Sequence, residues 1–322
     1  MDTKLDILIP ENITGKALDE LKGQYTIEKQ NELWKDPDKL AAAVKGAKAL
    51  LIRNQSKVDK KIIDSGESLR IIGRAGVGYD NIDVEYASQK GIVVCYTPDG
   101  NTISTAELAI GLVLSLARRI PSGDRSTKSG NWDRQGHFGV ELYGKTLGIV
   151  GFGKIGKTVA VRANSFGMKV MAYDKYYNGA GLESIVEQAK SLDELLGQSD
   201  FITVHLPSTK DTIGLFNKAT YAKIKPGAYL INTSRGNVIV EEDLIQALES
   251  GQLNGVALDV RLKEPPEKSK LNEMDNVIFT PHIGGFTKES QDKVITSIAR
   301  DIELVLKSQP AINYINFPEP KR

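Results

Sequence analysis

The sequence predicts an α/β protein made of two doubly wound, parallel-sheet domains. Three observations carry that prediction. Short β-branched runs alternate with stretches of helical period along most of the chain, the pattern of parallel strands joined by helices. The alternation comes as two series, one before and one after Gly144, with a long apolar helix between them. A chain of 322 residues with 40% hydrophobic content is ample for a packed core, and its length favours two domains over one.

The first series runs LDILIP, a helix from Gly15 to Gly23, KALLIR, a helix over VDKKIIDSG, LRIIGRAG, a helix over VEYASQKG, and GIVVCYT. The second runs TLGIVGFG, a helix to Gly167, KVMAYD, a helix around SLDELLGQ, DFITVHLP, AYLINTS, a helix through EEDLIQALESG, GVALDV and NVIFTPH. Between them lies TISTAELAIGLVLSLARRIPSG, Thr102 to Gly123. Its helix is apolar on nearly every face, with Ser104 or Thr105 as N-cap and Pro121 closing the far end. Such a helix must be covered all round, either inside the monomer or at a subunit interface.

The 42 basic and 41 acidic residues nearly cancel and are scattered. That leaves no electrostatic footprint for nucleic acid or anionic lipid, so the partner is expected to be a small molecule. Cys95 is the single cysteine, which excludes an intramolecular disulfide and fits a reducing compartment, with the cytoplasm as the expected location. In GIVVCYT it reads as a small buried apolar residue. The N-terminal MDTKLDILIP lacks a basic stretch followed by roughly 7 to 15 apolar residues, and no segment approaches about 18 uninterrupted apolar residues. Neither export nor a membrane span is expected.

In TLGIVGFGKIGKTVAVRANSFGMKVMAYD, Gly151, Gly153 and Gly156 form G-x-G-x-x-G after a strand and at the opening of a helix. The first glycine permits the tight turn, the second lets backbone approach a pyrophosphate, and the third lets helix and strand pack closely. The helix N-terminus offers N–H groups to the pyrophosphate. Asp174, at the end of the next strand, suits the adenosine ribose, and its carboxylate would repel a 2′-phosphate. NAD is therefore expected over NADP, with the adjacent Lys175 weighing the other way. Arg235 in INTSRGNVI, Glu264 in VRLKEPP and His282 in FTPHIGG each follow a predicted strand. Singly they read as a surface cation, a solvated loop residue and a turn residue. Together they are three complementary types at the edge where open α/β sheets bind ligands. His205 and His137 have no Cys or His partner at metal-ligand spacing, so no metal site is expected; His137 reads as exposed.

The order G-F-G-K-I-G, T-S-R-G-N, Glu before Pro-Pro, and P-H-I-G-G resembles the D-isomer-specific 2-hydroxyacid dehydrogenases over nearly the whole chain. The resemblance implies a Rossmann cofactor domain, 101–285, inserted in a flavodoxin-like substrate domain, 1–100 with 286–322. Hinge closure over the substrate would exclude water from the hydride path. It implies His282 as proton donor, Glu264 on its other ring nitrogen, and Arg235 holding carboxylate and carbonyl oxygens of a 2-oxo acid. Cofactor contacts are implied for Lys154, Ile155, His205, Pro207, Thr212, Thr233, Ser234, Asp259 and Gly284, with a structural role as the alternative for Asp259.

For the substrate, the resemblance implies an anion nest at Gly76 and Val77 in GRAGVGYDNID, an arginine at Arg53, and a hinge or substrate role for Asn101. A plain turn or loop is the alternative at each. GRAGVGYDNID and NTISTAELAIGL point to the branch acting on 3-phosphoglycerate, with hydroxypyruvate or glyoxylate reduction as the alternative. Two positions depart from that branch: Phe286 stands where a small residue is usual, and Arg261 where an aromatic is common. Phe286 would reshape the pocket and Arg261 would add charge near it. The Thr102–Gly123 helix would help form a homodimer. The chain ends at Arg322 without the branch's C-terminal serine-binding domain, so feedback inhibition through such a domain is not expected. A dinucleotide-sensing protein like the C-terminal-binding-protein corepressors is the alternative from outside enzymology.

Overall fold

A computed structural model describes residues 5–321. Met1–Lys4, part of the N-terminal stretch read for a leader, and Arg322 lie outside the described residues. The chain divides into two compact units, 1–101 with 287–322, and 102–286.

The first unit runs β1 (Ile7–Ile9), α1 (Lys16–Leu21), β2 (Ile27–Lys29), α2 (Pro37–Val44), β3 (Ala49–Ile52), α3 (Lys60–Ser65), β4 (Ile71–Arg74), α4 (Val84–Gln89) and β5 (Val93–Cys95). The second runs α5 (Thr102–Ala117), α6 (Ile120–Lys128), β6 (Thr146–Val150), α7 (Lys154–Ser165), β7 (Lys169–Tyr173), β8 (Val186–Gln188), α8 (Leu192–Gln198), β9 (Phe201–Val204), α9 (Lys218–Tyr221), β10 (Ala228–Asn232), α10 (Glu241–Glu249), β11 (Leu253–Leu258) and β12 (Val277–Phe279). The chain then returns to the first unit as α11 (Lys288–Leu306).

The first unit's sheet has the order β2-β1-β3-β4-β5, all parallel. Its central strands are apolar at successive positions because helices cover both faces. Ile7, Ile9, Leu51 and Ile71 pack on one side with Leu18 of α1 and Val294, Ile298 and Ile302 of α11. Leu8, Leu50, Ile52 and Ile72 pack on the other with Leu40, Ile62 and Ala87 from α2, α3 and α4. Asp36, Asp59 and Asp83 cap those three helices by accepting first-turn N–H groups.

The second unit's sheet has the order β12-β11-β10-β9-β6-β7-β8, again all parallel. The chain reverses direction across the sheet between β6 and β9, so their carboxyl ends form the switch point where such sheets take ligands. Leu147, Ile149, Phe201 and Ile231 pack under α5 and α7. Val150, Ile202, Leu230 and Leu258 pack under α8, α9 and α10.

Two expectations for the linking segment change. The apolar helix begins at Thr102, with Ser104 and Thr105 buried inside its first turns, and it ends at Ala117. Pro121 does not close it but sits in the first turn of α6, where a missing N–H costs no helical bond. Nor is α5 covered all round within the chain, since Ile103, Glu107 and Gly111 form an exposed stripe. Among the described residues, no helix is long and apolar enough to cross a membrane.

Candidate active site

β10, β11 and β12 lie side by side, with Asn232 opposite Leu258 and Leu258 opposite Phe279. The loops that follow them therefore leave from one edge of the sheet, although their residues are far apart in sequence. These are the loops that bear Arg235, Glu264 and His282.

His282 Nδ1 lies 2.6 Å from Glu264 Oε2, and both side chains are about one-third exposed (36% and 32%). The backbone N–H of Arg261 donates to the other oxygen, Glu264 Oε1, at 3.1 Å. Burial alone would raise the Glu264 carboxyl, but its bonds to His282 and Arg261 and the charge of Arg235 outweigh that and hold it below its ordinary value. A carboxylate on Nδ1 fixes that nitrogen as the donor and leaves Nε2 as the ring atom that can exchange a proton with a ligand.

Asp259 shapes the turn that presents the imidazole. His282 has φ 54°, a left-handed conformation uncommon outside glycine. Its N–H donates to the Asp259 carbonyl at 2.9 Å. The buried Asp259 carboxylate accepts from Thr280 Oγ1 (2.6 Å), Ile283 N (2.8 Å) and Gly284 N (2.9 Å). Asp259 and Gly284 thus hold the His282 turn, and the Gly284 N–H is engaged there. Asn232 does the equivalent for Arg235: its Oδ1 accepts from Ser234 N and Oγ, and its Nδ2 donates to the Arg235 carbonyl at 2.9 Å. Sequence reasoning missed Asn232 and Thr280. Their only signal is a polar residue at the end of an apolar strand.

Two glycines of the motif exclude a Cβ and the third admits one. On Gly151, which has φ 94°, it would stand 2.6 Å from the His205 carbonyl oxygen; on Gly156, 2.3 Å from the Gly151 carbonyl oxygen. The chain itself needs those two glycines. Gly153 is different: a Cβ there meets nothing within 4 Å. The protein leaves that position open to a close approach, and no side chain caps the first turn of α7 behind it, where Lys154 and Ile155 sit. Asp174 closes the far end, accepting from Phe152 N at 2.7 Å and Tyr176 N at 2.8 Å through different oxygens. The residues fit the dinucleotide.

Around this cradle, His205 Nδ1 and Thr233 Oγ1 are buried with no hydrogen-bond partner. Desolvation pushes His205 down to about 3, so its ring is neutral, with Nε2 2.9 Å from Thr203 Oγ1. Thr212 Oγ1 donates to the Pro207 carbonyl at 2.6 Å and closes that loop on itself. Lys175 is paired with Asp211 at 2.9 Å.

The remaining candidates belong to the first unit. Arg53 opens a loop whose N–H groups at Arg53, Gln55 and Ser56 all donate to the buried carboxylate of Glu11, at 2.9, 3.2 and 2.9 Å. Asn81 donates to the carbonyls of Arg53 and Ser56 from the other side. Gly76 has φ 150°, and its N–H donates to the Arg74 carbonyl at 2.9 Å. That N–H is engaged within its own turn and is not open to an anion. Asn101 is half-buried with its Oδ1 unpartnered.

Two expectations are corrected. His137 is half-buried, its Nδ1 2.7 Å from the Asp133 carbonyl oxygen. Arg261 adds no charge to a pocket, because its side chain is bound to Glu241. Phe286 is 65% exposed, at the last position of the second unit. Among the described residues, no group of three or more His, Cys, Asp or Glu is gathered as a metal site.

Known proteins resemble the chain in sequence and in fold. D-3-phosphoglycerate dehydrogenase of Archaeoglobus fulgidus is 42% identical over 315 residues, which cover 98% of this chain and 60% of that protein. The enzyme of that name from Bacillus subtilis is 46% identical over 270 residues, covering 84% of this chain and 51% of that protein. The chain thus spans between half and three-fifths of these relatives' length. A solved glyoxylate reductase from Paecilomyes thermophila matches with TM-score 0.88 at 29% identity, covering 97% of this chain and 98% of that one. A D-lactate dehydrogenase from Aquifex aeolicus, solved with NAD and lactic acid, matches with TM-score 0.86 at 27% identity, covering 97% and 100%. Residues 110–284 match the model of the NAD binding domain of the D-isomer specific 2-hydroxyacid dehydrogenases, and the chain belongs to that family.

Proposed function

We propose that the protein is an NAD-dependent D-2-hydroxyacid dehydrogenase that interconverts 3-phosphoglycerate and 3-phosphohydroxypyruvate. The observation that carries the chemistry is the His282–Glu264 pair, set at 2.6 Å on the sheet edge that also bears Arg235 and the glycine cradle. The substrate reading is supported by the names of the relatives at 42–46% identity. Hydroxypyruvate or glyoxylate reduction is the second reading, favoured by the glyoxylate reductase among the matching folds.

Gly153 and the first turn of α7 would hold the pyrophosphate, and Asp174 the adenosine ribose. When bound, NADH supplies the hydride to the 2-oxo carbon. Arg235 pairs its forked donors with the substrate carboxylate and carbonyl oxygen, turning the carbonyl to a fixed orientation. As negative charge grows on the carbonyl oxygen, His282 Nε2 hands it a proton while Glu264 keeps the ring from rotating. In the oxidative direction the same nitrogen removes the hydroxyl proton. His205, neutral and with an open Nδ1, lines the cofactor side without adding charge.

Turnover of 3-phosphohydroxypyruvate, hydroxypyruvate and glyoxylate with NADH, compared by kcat/KM, tests the reading. A protein that binds NADH but turns over none of these acids is a sensor and not this enzyme. His282→Ala should lower turnover by about 10² to 10⁴-fold with NADH binding retained. The homodimer belongs to the same proposal. It is supported by the exposed Ile103, Trp132, Phe138, Tyr143, Val161 and Phe166 of the second unit, and a monomer mass by light scattering would refute it.

A further inference from the structure

The Arg261 side chain is only 8% exposed. The guanidinium forks onto Glu241, with Nε to Oε1 and Nη2 to Oε2 both at 2.7 Å. Nη2 also reaches Ser269 Oγ at 3.3 Å, and the guanidinium carbon lies 4.8 Å from the centre of the Phe279 ring. Glu241 opens α10, shortly after Arg235, and Phe279 ends β12, just before His282. The backbone N–H of Arg261 meanwhile holds Glu264 Oε1, leaving Oε2 for His282. Gly236, next to Arg235, is pressed so closely on this segment that a Cβ there would stand 2.0 Å from the Arg261 carbonyl carbon. One residue therefore touches all three segments that carry Arg235, Glu264 and His282.

We infer that Arg261, anchored by Glu241, is a positioning residue that sets how Glu264 meets His282; the inference rests on the reaction proposed above. An aromatic at this position would stack on Phe279 but leave Glu241 without its partner. A lysine would keep the charge but lose the fork, because an ammonium cannot pair both carboxylate oxygens in a plane. Glu241 lies below the ordinary carboxylate range, chiefly through its hydrogen bond to Arg261, so the pair is ionised at neutral pH. With the side chain fixed at Glu241, Ser269 and Phe279, the Arg261 N–H has one direction, and Glu264 follows it.

The test is a mutant cycle in the full chain. R261Q leaves Glu241 unpartnered, so E241Q/R261Q is made beside it, and each is also placed on E264Q. In the E241Q/R261Q protein, kcat should fall about tenfold while the NADH dissociation constant stays within about twofold, the pattern of a misplaced reacting group. R261K should lie between wild type and R261Q. On E264Q the same changes should lower kcat by less than about twofold, because residues that act through one another are not additive. Equal losses on both backgrounds, or unchanged turnover in folded E241Q/R261Q, would overturn the inference. Should R261Q and E241Q/R261Q fail to melt cooperatively, R261K decides on the same cycle: an equal loss with and without E264Q overturns it. Proton NMR supplies a readout independent of turnover. The downfield His282 Nδ1–H resonance should be lost in E264Q and in E241Q/R261Q alike, and its persistence in the latter would refute the role. If the wild-type protein turns over none of the acids, the enzyme reading fails and that resonance alone decides for Arg261.

Discussion

The charge beside Asp174 is settled by a residue far along the chain. Lys175 could welcome a 2′-phosphate, but Asp211 pairs with it at 2.9 Å, both side chains being largely exposed. Asp211→Asn should raise the NADP-to-NAD ratio of kcat/KM by about two- to tenfold by freeing Lys175, most visibly at low salt. An unchanged ratio would leave Asp174 as the sole determinant. Glu264 gives a pH prediction with a definite sign. Its folded pKa is depressed, so its stabilising contribution is full above the ordinary value near 4.5 and fades as pH falls through the lower folded value. The melting-temperature gap between wild type and Glu264→Gln should therefore close in acid. A gap unchanged below pH 4 would contradict the assigned bonds. That Arg235, Glu264 and His282 share one sheet edge was legible in the sequence because each follows an apolar strand. Asn232, Thr280 and the role of Arg261 were not, because they depend on which strands become neighbours, and no local pattern records that.

Strands were more legible than helices: α2, α9 and α11 were not read from the sequence, although α11 runs 19 residues and buries eight of them. The ten strands read from the sequence are apolar runs, most of them buried on both faces, although in β12 only Val277 is fully buried. The two that escaped, β2 and β8, are three-residue sheet-edge strands with polar sequences, IEK and VEQ. The break between α5 and α6 escaped because Pro121 reads equally as an end or as a first turn, and the left-handed Arg119 that decides it carries no signal of its own. The turn from β6 into α7 allows a test in which two similar substitutions should separate. Gly156→Ala drives a methyl into the Gly151 carbonyl, so it should destabilise the fold by about 1–3 kcal/mol and weaken NADH binding with it. Gly153→Ala adds a methyl in open space, so the apoprotein should melt within about 0.5 kcal/mol of wild type while NADH affinity falls at least about tenfold. Equal effects on melting would mean that Gly153 serves the chain and not the cofactor.

For the whole molecule, the consequential fact is that one unit is continuous and the other is not. α11 gives the first unit's core Val294, Ile295, Ile298, Ile302 and Val305. At roughly 1.5–3 kcal/mol for each such side chain, their removal costs on the order of 10 kcal/mol, comparable to the whole stability of a domain. A chain stopped at residue 286 should therefore lose the melting transition of the first unit while the 102–286 unit still melts cooperatively and binds NADH. Two surviving transitions by calorimetry would refute that division. The same discontinuity imposes an order in time. On the ribosome, β1 to β5 emerge early but wait for α11 until residues 102–286 have been made, roughly ten to forty seconds at about 5–20 residues per second. Through that interval the inserted unit can close its core, while the apolar face awaiting α11 stays uncovered, so the nascent chain should depend on chaperones before the finished protein depends on anything.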